Sequence, residues 1–133
     1  MISDHRLRSL AKLIINHSCS LKKNENVLIE AVDVPYFFIE ILIEEILKKN
    51  AYPFLSLKSE KIIRKIGLFA TKKYYEIQSN IEIATLQKMN AYIGIKNVLN
   101  AFELSDLPHK KHEIIYKKYL KPVHLQYRNN FIK

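Results

Sequence analysis

The chain has 133 residues, of which 48% are hydrophobic, so it has enough apolar side chains for the core of one domain. It contains no run of eighteen uncharged apolar residues and it opens on a charged segment, so we expect neither a membrane-spanning helix nor a secretory signal. A single cysteine, Cys19, excludes an internal disulfide and predicts a reducing, cytoplasmic location. Two glycines, Gly67 and Gly94, are too few for a glycine-rich phosphate-binding loop.

The net charge of +9 lies entirely in the second part of the chain. Residues 1–57 contain seven basic and seven acidic residues, whereas residues 58–133 contain fifteen basic and six acidic residues. Such asymmetry is compatible with binding to nucleic acid or to an anionic surface. Only four of the 22 basic residues are arginine, the side chain best suited to phosphate and guanine. A free-standing basic α/β module that binds nucleic acid is therefore the alternative interpretation, and we expect no specific nucleic-acid partner.

The beginning of the chain predicts a helix followed by a buried strand. The helix has an apolar face that recurs every three or four residues, formed by Leu7, Leu10, Ala11 and Ile14. Ser3 or Asp4 is suited to cap it. After a polar turn at 22–25, Val27–Val32 is a short apolar run typical of a strand in a parallel sheet.

A second helix follows. Asp33 is suited to cap it, Pro35 is tolerated in its first turn, and Asn50 is suited to end it. Its predicted apolar face consists of Phe37, Phe38, Ile41, Leu42 and Ile46. Glu44 and Glu45 are assigned to the side that faces water.

The rest of the chain predicts two further strands and three helices. Pro53–Leu57 is the second strand, and residues 59–88 form two helical pieces divided near Gly67. The second piece has an apolar stripe of Tyr74, Ile77, Ile81 and Ala84. Asn90–Lys96 is the third strand, and residues 109–121 form a basic amphipathic helix.

The predicted order is α-β-α-β-α-α-β-α. Strands separated by helices predict an α/β fold with a small parallel sheet, three-stranded or slightly larger, flanked by helices. Open parallel sheets usually have more strands, so we interpret the fold as incomplete.

Histidines offer the first candidates for a metal site. The five histidines are His5, His17, His109, His112 and His124. His109, His112 and Glu113 share one side of a predicted helix, but neighbouring lysines repel a cation. A solvated basic face is the favoured interpretation there, and His5 and His17 are interpreted as surface groups.

Two other residues are candidates for chemistry. Cys19 lies two residues after His17, but such neighbours point to different sides of a helix, so a buried thiol is favoured over a nucleophile. Glu30 lies in a predicted buried strand near its carboxyl end, where α/β sheets place their ligands. The simpler interpretation is a solvated strand end.

The segment LAKLIINHSCSLKKNENVLIEAVDVPYFFIEILIEEILKKNAYPFLSL, Leu10 to Leu57, resembles the amino terminus of thermophilic-type metalloaminopeptidases, the aminopeptidase T, S and II group. Asn16-His17-Ser18 corresponds to the family's Tyr-Ser-like step after its first helix. Lys23-Asn24-Glu25 and Lys49-Asn50-Ala51-Tyr52-Pro53 correspond to its Lys-Gly-Glu and Lys-Ala-Gly-Ala-x-Pro turns. AYIGIKNVLN, Ala91 to Asn100, is similar to its third strand and the following loop.

Asparagine stands at two positions where the family has glycine. Of all residues with a side chain, asparagine best tolerates the left-handed conformation. We therefore predict a positive φ at Asn24 or Asn50.

The resemblance implies that residues 1–133 form the amino-terminal domain of a metal-dependent aminopeptidase, a hydrolase that releases amino-terminal residues from peptides. In the family, two divalent ions (cobalt, zinc or manganese) are held by a carboxy-terminal domain whose motifs this sequence does not contain. The implied role is scaffolding and access in a truncated form, without a catalytic, cofactor-binding or metal-binding residue in this chain. Its implied partners are the missing catalytic domain and the parent enzyme's peptide substrate, with self-association of the chain and no membrane partner.

Overall fold

The computed structural model describes residues 4–96, in which three parallel strands and four α-helices alternate as predicted. The helices are α1 Asp4–Leu13, α2 Tyr36–Lys48, α3 Glu60–Phe69 and α4 Lys72–Leu86, and a π-helical turn, Ile14–Ser18, follows α1. The strands are β1 Asn26–Val32, β2 Tyr52–Lys58 and β3 Ala91–Lys96. The predicted α/β class and parallel sheet are thus confirmed, and the predicted helix at 109–121 lies outside the described residues.

The described residues divide into two compact units. Residues 4–57 and 89–96 form the sheet unit, and residues 58–88 form the helical unit with α3 and α4. The prediction of a single amino-terminal domain over 1–133 stays a prediction. None of the helices within residues 4–96 is long and apolar enough to cross a bilayer.

The sheet has the strand order β2-β1-β3, so the first strand lies in the middle. β1 pairs with β3 in parallel, in a register that runs from Val27 opposite Ala91 to Val32 opposite Lys96. Alternate residues of these two strands enter the core of the sheet unit together with α1 and α2. The buried core side chains include Ala11, Ile15, Val27, Ile29, Leu42, Ile46, Ala91 and Ile93.

Asn50 ends α2 as predicted, through a Schellman arrangement. Its φ is 59°, and its N–H donates to the carbonyl of Leu47 at 2.9 Å. The next N–H, that of Ala51, donates to the carbonyl of Ile46 at 3.3 Å. The side chains of Ala51 and Ile46 are both buried. Asn24 also has a positive φ of 67°, so the prediction for the two asparagines is confirmed at both.

The beginning of α2 differs from the prediction. Asp33 does not cap the helix: it lies at φ 55°, and the N-cap position is held by Pro35 without a side-chain hydrogen bond. Because a residue that precedes proline is disfavoured in the helical conformation, Val34 cannot join the helix and the first turn starts at Tyr36. In addition, Phe37 is 50% exposed, so it does not belong to the buried face.

The helical unit differs from the sequence-based predictions in where its two helices divide and in which side of α4 is buried. Its helices are separated at Ala70 and Thr71, and Gly67 lies buried inside α3. Thr71 starts α4 because its hydroxyl accepts the N–H of Tyr74 at 3.3 Å.

The predicted apolar stripe of α4 faces outward. Tyr74, Ile77 and Ile81 are 37 to 55% exposed, whereas Tyr75 and Leu86 are buried. Apolar residues lie on both sides of this helix, so spacing alone does not determine which side is covered.

Candidate functional site

The described residues do not fit a metal centre. Among residues 4–96 there is no group of three or more histidine, cysteine, aspartate or glutamate side chains that could hold an ion. His5 and His17 are exposed, and the candidate side chains of His109, His112, Glu113 and His124 lie outside the described range. A two-metal hydrolase needs several such ligands at one point, so we derive no metal-dependent step from these residues.

Cys19 lies in the core rather than beside a base. It is 4% exposed, and its Sγ lies 4.0 Å from the carbonyl oxygen of Tyr92, whereas His17 is exposed. The interpretation of Cys19 as a buried structural thiol therefore fits its surroundings.

Glu30 is bound to a tyrosine across the sheet. It is half-buried, and its carboxylate accepts a hydrogen bond from the hydroxyl of Tyr92. Glu30 lies opposite Gly94 in the register, so the Tyr92 ring must pass over Gly94 to reach it. A Cβ at Gly94 would lie 2.8 Å from the Tyr92 Oη, closer than side chains tolerate. The Glu30 carboxylate thus links β1 to β3. The prediction that Glu30 is simply a solvated residue at the end of a strand was therefore wrong.

An ion cluster that the sequence did not indicate connects α1 to α2. Arg8 donates to Glu44 at 2.8 Å and to Glu45 at 3.1 Å, and Lys48 also contacts Glu45 at 3.4 Å. The side chain of Glu44 is 54% exposed, as predicted, whereas that of Glu45 is 7% exposed and does not face water. α1 contains two arginines, Arg6 and Arg8, and their positions in the sequence do not indicate which of them contacts α2.

The electrostatics of this cluster favour the ionised pair. Burial alone would raise the pKa of the Glu45 carboxyl, but hydrogen bonds from Arg8 and Lys48 outweigh it and hold the pKa below its ordinary value. The hydrogen bonds to Glu44 and Glu45 raise the pKa of Arg8 in turn. The cluster therefore consists of ion pairs that hold α1 against α2, and it is not a proton-transfer site.

Both helices of the helical unit expose large apolar side chains to solvent. On α3, Ile62 is 62% exposed and Phe69 is 71% exposed; on α4, Ile77 and Ile81 are 48 and 55% exposed. Ile62 and Phe69 are two helical turns apart, and Ile77 and Ile81 are one turn apart, so each pair lies on one side of its helix. Exposed large apolar side chains that share one side of a helix are typical of interaction surfaces. We call these four residues the helical apolar face.

Comparison with known proteins identifies a structural neighbour. No protein-family model matches the chain, and no curated protein matches its sequence. Among solved structures, wild-type AmpT from Thermus thermophilus, an aminopeptidase, is similar with a TM-score of 0.74 and 18% sequence identity. The similarity covers 94% of this chain and 33% of AmpT, so the chain spans about a third of the length of that protein. At this identity the likeness shows a shared fold.

Proposed function

We propose that this chain is an amino-terminal α/β domain of a metal-dependent aminopeptidase of the aminopeptidase T type. The observation that carries the proposal is the extent of the likeness: nearly the whole chain matches only a third of an aminopeptidase. Its own role is to scaffold the catalytic part and to shape the access of peptides to it. The divalent ions (cobalt, zinc or manganese) would belong to the catalytic part, since residues 4–96 offer no ligand group.

The helical apolar face is the surface that we assign to the catalytic part. Its four side chains are between 48 and 71% exposed, which is costly unless another surface covers them. Lys65 lies with its Nζ 5.3 Å from the centre of the Phe69 ring, so a cation borders this face. Acidic side chains around an apolar patch would complement it. The single cysteine, Cys19, is buried, which is compatible with the cytoplasm as the place of assembly.

The proposal is tested by asking whether aminopeptidase activity accompanies the chain. The purified chain alone should not release leucine from a leucyl anilide in the presence of cobalt, zinc or manganese. The tagged chain, recovered from its own cells, should bring with it an activity that these metals support and a chelator removes. Turnover by the purified chain that is lost in His109→Ala would contradict the scaffold role.

A charge placed on the helical apolar face tests the assigned surface. The double variant Ile77→Glu/Ile81→Glu should fail to recover the activity, because two carboxylates would be buried against the catalytic part. Ser9→Glu/Leu13→Glu, which adds two carboxylates at exposed positions one turn apart on α1, is the control and should recover it normally. No metal-dependent activity with the wild-type chain, or equal loss in the control, would contradict the proposal.

A further inference from the structure

The side of α3 that faces solvent combines two lysines with two large apolar side chains. Lys61, Ile62, Lys65 and Phe69 fall within an arc of about 100° around the helix axis. Both lysines are exposed, Ile62 is 62% exposed and Phe69 is 71% exposed. We call these four residues the α3 stripe, and its two apolar members belong to the helical apolar face.

The positive charge of the α3 stripe is not neutralised by neighbouring residues. Neither Lys61 nor Lys65 forms an ion pair within the described part of the chain. Glu60, the one acidic residue of α3, is buried at 2% exposure. By contrast, Lys48 and Lys58 each contact a glutamate, at 3.4 and 2.9 Å. The stripe therefore offers two positive charges, beside its apolar side chains, to a partner.

This combination of charge and apolar surface selects among possible partners. The α3 stripe of a second copy would bring lysines against lysines, and like charges at an interface are costly. A nucleic acid would leave Ile62 uncovered, and Lys65 lies over one face of the Phe69 ring, 5.3 Å from its centre, where a base would stack. Helices that lie on lipid bury a longer apolar side than two residues. A protein segment with carboxylates beside apolar side chains complements all four residues.

We propose that the α3 stripe binds an acidic segment of the catalytic part. In this contact, apolar side chains of that segment cover Ile62 and Phe69, and its carboxylates pair with Lys61 and Lys65. The likeness to AmpT supports a protein partner of this kind, because the chain matches 33% of that aminopeptidase and about two thirds of AmpT have no counterpart in it. This inference rests on the proposed function and adds the chemistry of the partner surface.

Charge reversal tests the ionic part of the contact. In the recovery of metal-dependent aminopeptidase activity with the tagged chain, Lys61→Glu/Lys65→Glu should lower the recovered activity at least about fivefold, because it places carboxylates against carboxylates. Lys61→Gln/Lys65→Gln should give an intermediate value. The difference between the two variants should shrink at about 1 M salt, where the screening length is about 3 Å.

Lys22→Glu/Lys23→Glu is the matched control, because it reverses two exposed lysines outside α3. It should recover the activity as the wild-type chain does. Thermal unfolding of every variant should match that of the wild-type chain, since the substituted side chains are exposed. This measurement separates a lost contact from a misfolded chain.

Cross-linking tests the chemistry of the partner without an activity measurement. Lys61→Cys keeps Lys65 and, when labelled with a benzophenone maleimide, should cross-link to a protein in the extract of the chain's own cells. Mass spectrometry should identify the linked peptide as one with carboxylates beside apolar side chains. Cys19 is 4% exposed, so the wild-type chain should take up little label and measures the background. Lys23→Cys, labelled in the same way, should not form this link.

Three results would overturn this inference and leave the proposed function standing: recovered activity that does not respond to Lys61→Glu/Lys65→Glu, an equal loss in the control, or a linked peptide without carboxylates. Binding to phosphatidylserine vesicles or to an oligonucleotide that charge reversal abolishes, while the recovered activity is unchanged, would assign the α3 stripe to lipid or nucleic acid instead. If no metal-dependent activity accompanies the wild-type chain, the proposed function itself fails.

Discussion

The N–H of Asn24 donates a hydrogen bond to the carbonyl of Asn50 at 2.9 Å, and both asparagines are left-handed. Asn24 lies just before β1, and Asn50 lies between α2 and β2. The bond therefore joins the two turns that start neighbouring parallel strands. The hydroxyl of Tyr52 reaches the Asn24 Oδ1 at 3.4 Å and closes the same junction. Both turns depend on residues that tolerate a positive φ.

Substitution of Asn50 tests this dependence. Asn50→Gly should be neutral or stabilising by less than about 1 kcal/mol, because relief of strain and a more flexible unfolded chain oppose each other. Asn50→Ala should destabilise by roughly 1–2 kcal/mol, since a Cβ is disfavoured at a φ of 59°. Urea unfolding measures both changes. Asn80→Ala, on the exposed side of α4, is the control and should not lower the stability.

The effects of substitutions at Gly94 and Tyr92 on the free energy of unfolding should depend on each other. Gly94→Ala should cost roughly 1 kcal/mol, because its Cβ displaces the Tyr92 ring from Glu30, and Tyr92→Phe should cost a similar amount. The double variant should cost less than the sum, since both changes remove the same hydrogen bond. Gly94→Ala combined with Tyr74→Phe should be additive. Additivity in the first pair, measured by unfolding, would show that the ring does not depend on Gly94.

The two glutamates of the ion cluster should differ in their effect on stability. Glu45→Gln should destabilise the chain at neutral pH more than Glu44→Gln, because only the Glu45 side chain is buried beside Arg8. The pKa of Glu45 is lowered in the folded state from its ordinary value of 4.5. Its contribution is therefore complete above that value and is lost as the pH falls through the lower, folded-state pKa. Thermal unfolding from pH 7 to pH 2 should show the gap between wild type and Glu45→Gln closing only below pH 4.5.

Binding of nucleic acid should be weak and non-specific. The excess charge is mostly lysine, so attraction to phosphates is the available interaction, and it should fall steeply as salt rises. Fluorescence titration with duplex and single-stranded oligonucleotides at physiological salt measures it. Sequence-dependent binding below about 1 μM would support the alternative of a nucleic-acid-binding module instead.

The features that depend on neighbouring residues could be predicted from the sequence alone. The order of helices and strands followed from the spacing of apolar residues, and the left-handed turns followed from Asn24 and Asn50, whose side chains suit them. These signals are local, because a turn or a helix end is decided within a few residues.

The features that join distant parts of the chain depend on tertiary packing. Arg8 and Glu45 are 37 positions apart, so the burial of that glutamate depends on how α1 packs on α2. Glu30 and Tyr92 are 62 positions apart, and only the parallel register places Gly94 beneath the ring. In α4, both sides carry apolar residues, so packing alone determined that Tyr75 is buried and Ile81 is exposed. Periodicity identifies candidate faces, but burial depends on the surface that packs against them.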